Sequence, residues 1–128
     1  MIKDAYTFSG YSVTSSAAAL AFYRDTLGLP VKETPQGLQM ELKGTTIFLY
    51  EKLDHVPATF TVLNFVVPNI DEAVDELVGK GITLDRYDNG PMIGDEKNIY
   101  RGFAAGMGPD IAWFKDPAGN VLSVLQDK

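Results

Sequence analysis

The order of elements read from this sequence runs through once and then starts again. That repetition narrows the possible folds more than any other feature. Residues 5–14 (AYTFSGYSVT) are rich in aromatic and β-branched side chains and predict a strand, with Gly10 placed for a bulge. Ser15 and Ser16 are suited to cap a helix by accepting backbone N–H bonds. The helical spacing of Leu20, Tyr23 and Leu27 carries that helix over 17–26, and Gly28 ends it. Strands follow over 30–34, 37–43 and 45–51, with turn residues at Pro35, Gln36, Gly37, Lys43 and Gly44. After a polar connector at 54–58 the order recurs. Residues 59–67 (TFTVLNFVV) form a nearly unbroken apolar strand, as expected when both faces are covered. Asn69 and Glu72 have the spacing of a capping box, and Ile70, Ala73, Val74, Leu77 and Val78 make a helical stripe closed by Gly79 and Gly81. Strands are predicted over 82–87, 110–115 and 120–126, and a candidate strand over 98–103 interrupts the long loop between the first two.

Two passes of strand, helix and three strands predict an α+β fold. It consists of two tandem βαβββ modules whose mixed sheets curl around a cavity, with helices on the outside. Module one spans about 1–53 and module two about 58–128, and the length of 128 residues suits a single domain over 1–128. In the long loop 88–108, Gly90, Gly94, Gly102, Gly106 and Gly108 read as turns and hinge points, because no phosphate-cradling motif leads into a helix there.

Composition then removes function classes. With 17 acidic against 11 basic side chains the net charge is −6, which repels a phosphate backbone and predicts no nucleic-acid partner. The absence of cysteine excludes disulfides, thiolate catalysis and thiolate-held metals. The one histidine, His55, excludes a site with several imidazoles from one chain and reads as a solvated loop residue. No apolar run approaches the roughly 20 residues of a membrane span. The start Met1-Ile2-Lys3-Asp4 has no signal pattern, so no membrane partner and a cytoplasmic location are expected.

Two motifs carry a resemblance. Ala21-Phe22-Tyr23-Arg24-Asp25-Thr26-Leu27-Gly28-Leu29 resembles the FYxxxLG signature of the vicinal oxygen chelate superfamily, and Trp113-Phe114-Lys115-Asp116-Pro117-Ala118-Gly119-Asn120 resembles its F-x-D-P-x-G-N turn. That superfamily includes glyoxalase I, fosfomycin-resistance enzymes, extradiol dioxygenases and bleomycin-resistance proteins. Both motifs are scaffold motifs, so they speak for the fold and not for a reaction. The resemblance implies a divalent metal held from the first and last strand of each half. Counting from the motifs, those positions hold Phe8, Phe48, Val62 and Ser123, and the neighbours Thr7, Ser9, Leu63, Leu122 and Val124 make no metal set. Phenylalanine and valine have no donor atom, and serine is a weak neutral ligand. No metal, no other cofactor and no catalytic residue are therefore expected.

What remains is an apolar site similar to that of the metal-free bleomycin-resistance branch, which binds a drug rather than transforming it. The expected ligand-binding residues are Phe8, Phe48, Tyr50, Val62, Asn64, Phe103, Trp113 and Ser123. Tyr50 shares a strand face with Phe48, and Asn64 with Val62. Met92, Tyr100 and Met107 join Phe103 as candidates to cover the mouth, while Tyr100 and Arg101 otherwise read as solvated loop. The alternatives are plain core packing at Phe8, Phe48, Val62 and Trp113, a metal-dependent lyase or dioxygenase of the glyoxalase I or extradiol type with atypical ligands, or a metal-free isomerase using Glu41, Glu51 or Tyr50. The resemblance implies a homodimer.

Overall fold

Each half of the sequence closes its backbone hydrogen bonds within a sheet of its own. The structure, a computed structural model, describes residues 1–87, 90 and 93–127. The chain divides into two compact units, Met1–Pro57 and Ala58–Lys128.

In the first unit β1 (Ser9–Val13) leads into α1 (Ser16–Leu20), whose last turn widens into π-helical geometry over Ala21–Thr26. Ser15 caps it, its hydroxyl accepting from the Ala18 N–H at 3.1 Å. Gly28, at φ +75°, reverses the chain where a side chain would strain. The strands β2 (Val31–Thr34), β3 (Gly37–Leu42) and β4 (Thr45–Glu51) return as a meander, giving the order β1-β4-β3-β2 with β1 and β4 parallel. Alternation decides the faces. Ile47 and Leu49 of β4, Leu38 and Met40 of β3 and Tyr11 and Val13 of β1 are buried with Ala19 and Tyr23 of the helix. The Tyr11 and Tyr23 hydroxyls meet at 2.8 Å inside this core.

The second unit repeats the plan. Its elements are β5 (Thr61–Val66), α2 (Ile70–Gly79), β6 (Tyr100–Arg101), the short α3 (Gly102–Ala105), β7 (Asp110–Lys115) and β8 (Val121–Gln126), in sheet order β5-β8-β7-β6. The fold is therefore α+β, two tandem mixed sheets of four strands, neither closed into a barrel. Asn69 caps α2 as expected, accepting from the Glu72 N–H at 3.1 Å. Ile70, Val74 and Leu77 are buried, but Val78, predicted on the same stripe, is 57% exposed. It is the residue after Leu77, so the helix turns it about 100° away from the buried line.

Three expectations need correction. Residues 82–87 form no strand. They run beside β7 and contribute the Asp85 N–H, which bonds the Trp113 carbonyl at 2.8 Å, while Tyr100 and Arg101 pair with Ile111 and Asp110 farther along β7. The outer row is thus shared by two short segments, and the predicted strand 98–103 shrinks to two residues because Gly102 starts a helix. The bulge falls not at Gly10 but at Val62: Thr61 pairs with Val121 and Leu63 with Leu122, which leaves Val62 without a partner in the ladder. Gly10 is in regular register with Phe48, and its lack of a side chain serves close packing: a Cβ there would stand 2.7 Å from the Phe48 carbonyl oxygen.

Candidate functional site

The sheet face opposite α1 is where the first unit keeps its unusual side chains. Phe48 and Tyr50, two apart on β4, project away from the buried Ile47 and Leu49. Their rings stack, with centroids 6.2 Å apart and planes 19° from parallel. Tyr50 is 39% exposed, and Phe8, two residues before Gly10, is 71% exposed. Phe8 and Phe48 line a groove of about 510 Å³. Its polar rim comes from Thr7, Thr34, Gln36, Gln39 and Thr46. Register explains the grouping, because Gln39 lies opposite Phe48 on the adjacent strand. Apolar walls with a few convergent polar groups are the common make-up of a small-molecule site.

The Ser12 hydroxyl and His55 Nδ1 lie 2.6 Å apart on the same unit. Ser12 is in register with Tyr50, so its side chain stands next to the aromatic pair. This corrects the reading of His55 as a solvated loop residue. The turn after β4, closed by the His55 N–H on the Lys52 carbonyl, folds the connector back over β1. Sequence reasoning missed the contact because the partners are 43 residues apart.

In the second unit Asn64, Ser123 and Trp113 form one row across β5, β8 and β7. Ser123 is fully buried and its hydroxyl donates to Asn64 Oδ1 at 2.5 Å, while Asn64 itself is exposed. Trp113 is half-buried. Its indole N–H donates to Thr61 Oγ1 at 3.0 Å, and its ring meets Tyr87 and Tyr100 edge-on at 5.6 and 5.3 Å. The bulge at Val62 is what lets Thr61 and Asn64, three apart, serve the same face. Val62 is half-buried, and Phe103, on α3, is 41% exposed. Met92 lies outside the described residues.

Tyr100 and Arg101 are not solvated loop. Tyr100 is 2% exposed. Arg101 is held by Asp71 at 2.8 Å, Asp95 at 3.0 Å and Asp110 at 3.7 Å. Its hydrogen bond to Asp71 raises the guanidinium pKa, and the same bond lowers that of Asp71. Burial pushes Asp95 up, but the Ile99 and Lys97 N–H groups and Arg101 outweigh it and hold its pKa below the usual carboxylate range. A cation so satisfied is a staple between the loop and α2, not a ligand anchor.

The residues do not fit the divalent metal that the family motifs imply. Phe8, Phe48 and Val62 have no donor atom, and the Ser123 hydroxyl is spent on Asn64. Among the described residues no three His, Cys, Asp or Glu side chains stand close enough to share an ion.

Several solved structures are similar to this chain. One is TnmS3, an antibiotic-binding protein from Streptomyces sp. CB03234, with 22% identity, a TM-score of 0.65 and 98% of each chain covered. Another is a lactoylglutathione lyase from Agrobacterium tumefaciens, with 19% identity, a TM-score of 0.62, and 95% of this chain and 93% of that one covered. A third, from Sphaerobacter thermophilus DSM 20745, has 23% identity and a TM-score of 0.66 over 97% of this chain and 98% of that one. At such identities the likeness concerns the fold alone. No curated protein sequence matches the chain. A family model matches residues 7–124, nearly the whole of both units, and the chain belongs to the glyoxalase/bleomycin resistance protein/dioxygenase superfamily.

Proposed function

We propose that this protein binds a small aromatic or hydrophobic molecule without a metal ion and acts by holding it, in the manner of the bleomycin-resistance branch. The observation that carries the reading is the stacked Phe48–Tyr50 pair beside Phe8 and the groove of about 510 Å³. Large aromatic side chains left open on a sheet face cost solubility and are otherwise placed inside. Aromatic faces attract planar rings. The family's metal-binding positions carry side chains that favour such a ligand over an ion. That one structural relative is named an antibiotic-binding protein is in keeping with this reading. A homodimer and a cytoplasmic setting belong to the same proposal. No helix among the described residues is long and apolar enough to cross a membrane.

Thermal-shift screening against planar aromatic drugs, quinones and catechols tests it. A ligand is expected to raise the unfolding temperature of the wild type. Phe48→Ala is expected to weaken its binding about tenfold, the equivalent of about 1.4 kcal/mol. A full panel without a stabilising compound overturns the proposal.

A further inference from the structure

The row Asn64–Ser123–Trp113 on the second sheet is more specific than an apolar wall. Ser123 is fully buried, so it does not itself reach a molecule on that face. Its hydroxyl has one proton, and it donates that proton to Asn64 Oδ1 at 2.5 Å. This turns the oxygen end of the Asn64 amide toward the sheet, and on an exposed residue the Nδ2 end keeps its two N–H donors for a ligand. Asn64 makes no other side-chain hydrogen bond among the described residues. Trp113 lies in the same row, in register with Ser123, and is only partly buried. Its own N–H is committed to Thr61, so the indole adds an apolar surface and no further donor.

We infer that this face is a recognition site for an aromatic compound carrying a carbonyl acceptor: the ring lies against Trp113 and the carbonyl accepts from Asn64 Nδ2. Ser123 is a positioning residue: in this structure its hydroxyl holds the oxygen end of the amide, so that the Nδ2 end is presented. The inference rests on the small-molecule reading above and names the class of molecule taken. A carboxylate or hydroxyl donor at the Asn64 position fails to reproduce this selectivity. A carboxylate has only acceptors, and a hydroxyl does not present a pair of donors.

The test uses a pair of probes that differ in one group. In 2-acetylnaphthalene the ring carries a ketone; in 2-isopropenylnaphthalene a methylene replaces the ketone oxygen. Dissociation constants for both are read from Trp113 fluorescence, and the Asn64 side-chain amide is followed by ¹⁵N NMR. The wild type is expected to bind the ketone about five- to tenfold more tightly than the alkene, the range of a single hydrogen bond. Only the ketone is expected to shift the Asn64 amide signals. Asn64→Asp is expected to bring the ratio to one or below. Ser123→Ala is expected to lower the ratio toward one, because the loss falls on the ketone; a merely structural role would weaken ketone and alkene alike and keep the ratio. If neither probe binds while a compound of the thermal-shift panel stabilises the protein, this inference alone falls; if neither probe binds and the full panel also fails, the small-molecule reading falls with it. If both bind the wild type equally, or Ser123→Ala keeps the full ratio, this inference alone falls.

Discussion

The side chain at position 48 shows how much one residue changes. A phenylalanine there supplies no lone pair to a metal, but it stacks on Tyr50 and forms a wall of the groove. Its seat depends on Gly10, whose missing Cβ lets β1 approach the Phe48 backbone. Gly10→Ala is therefore expected to destabilise the protein by about 1–3 kcal/mol, the usual cost of overpacking, measured by denaturant unfolding. Behind the same sheet the Tyr11–Tyr23 hydroxyl contact is buried. Tyr23→Phe keeps the ring and is expected to lose about 1 kcal/mol in the same measurement. A loss near zero would mean that the contact contributes nothing net. That Phe48 and Tyr50 share one face of a strand was legible from alternation, whereas Phe8, expected within a first strand over 5–14, lies just ahead of β1. The Ser12–His55 and Ser123–Asn64 contacts were not legible, because each joins residues far apart in the chain through a register that only the folded sheet defines.

Elements were legible where one strong local signal set them. Both helix starts were read correctly from Ser15 and from Asn69, since a capping side chain two or three residues from its N–H partner is a local matter. Asn69→Ala is expected to cost about 1 kcal/mol and to lower the unfolding temperature. The bulge at Val62 and the split outer row of the second sheet were not legible. No glycine or proline in 59–67 marks a bulge. The loop before β6 is set by charges instead: Arg101 ties Asp95 in the loop to Asp71 on α2. Both carboxylates have folded-state pKa values below their unfolded ones. Their contribution is complete above the unfolded value of about 4 and is lost as pH falls through the lower folded values. Asp71→Asn should accordingly unfold at a lower temperature than the wild type at pH 7, and the two should converge toward pH 2. A gap that persists in acid would show that the substitution acts through packing instead.

At the scale of the whole chain the duplication made the fold readable, because the same order of elements recurs in each unit with the same sheet order. The family does not by itself choose between holding a molecule and transforming one, since antibiotic-binding protein and lactoylglutathione lyase share this fold. The choice rests on the side chains at Phe8, Phe48, Val62 and Ser123. Static light scattering is expected to give the mass of a dimer of the 14.0 kDa chain at micromolar concentration. A clean monomer would contradict that part of the proposal. The most direct test of the central claim is isothermal titration of metal-stripped protein with 2-acetylnaphthalene, before and after adding one equivalent of Mn²⁺, Fe²⁺, Ni²⁺ or Zn²⁺. The expected result is saturable binding with the same affinity in every case. Binding that appears only when the metal is restored would contradict it.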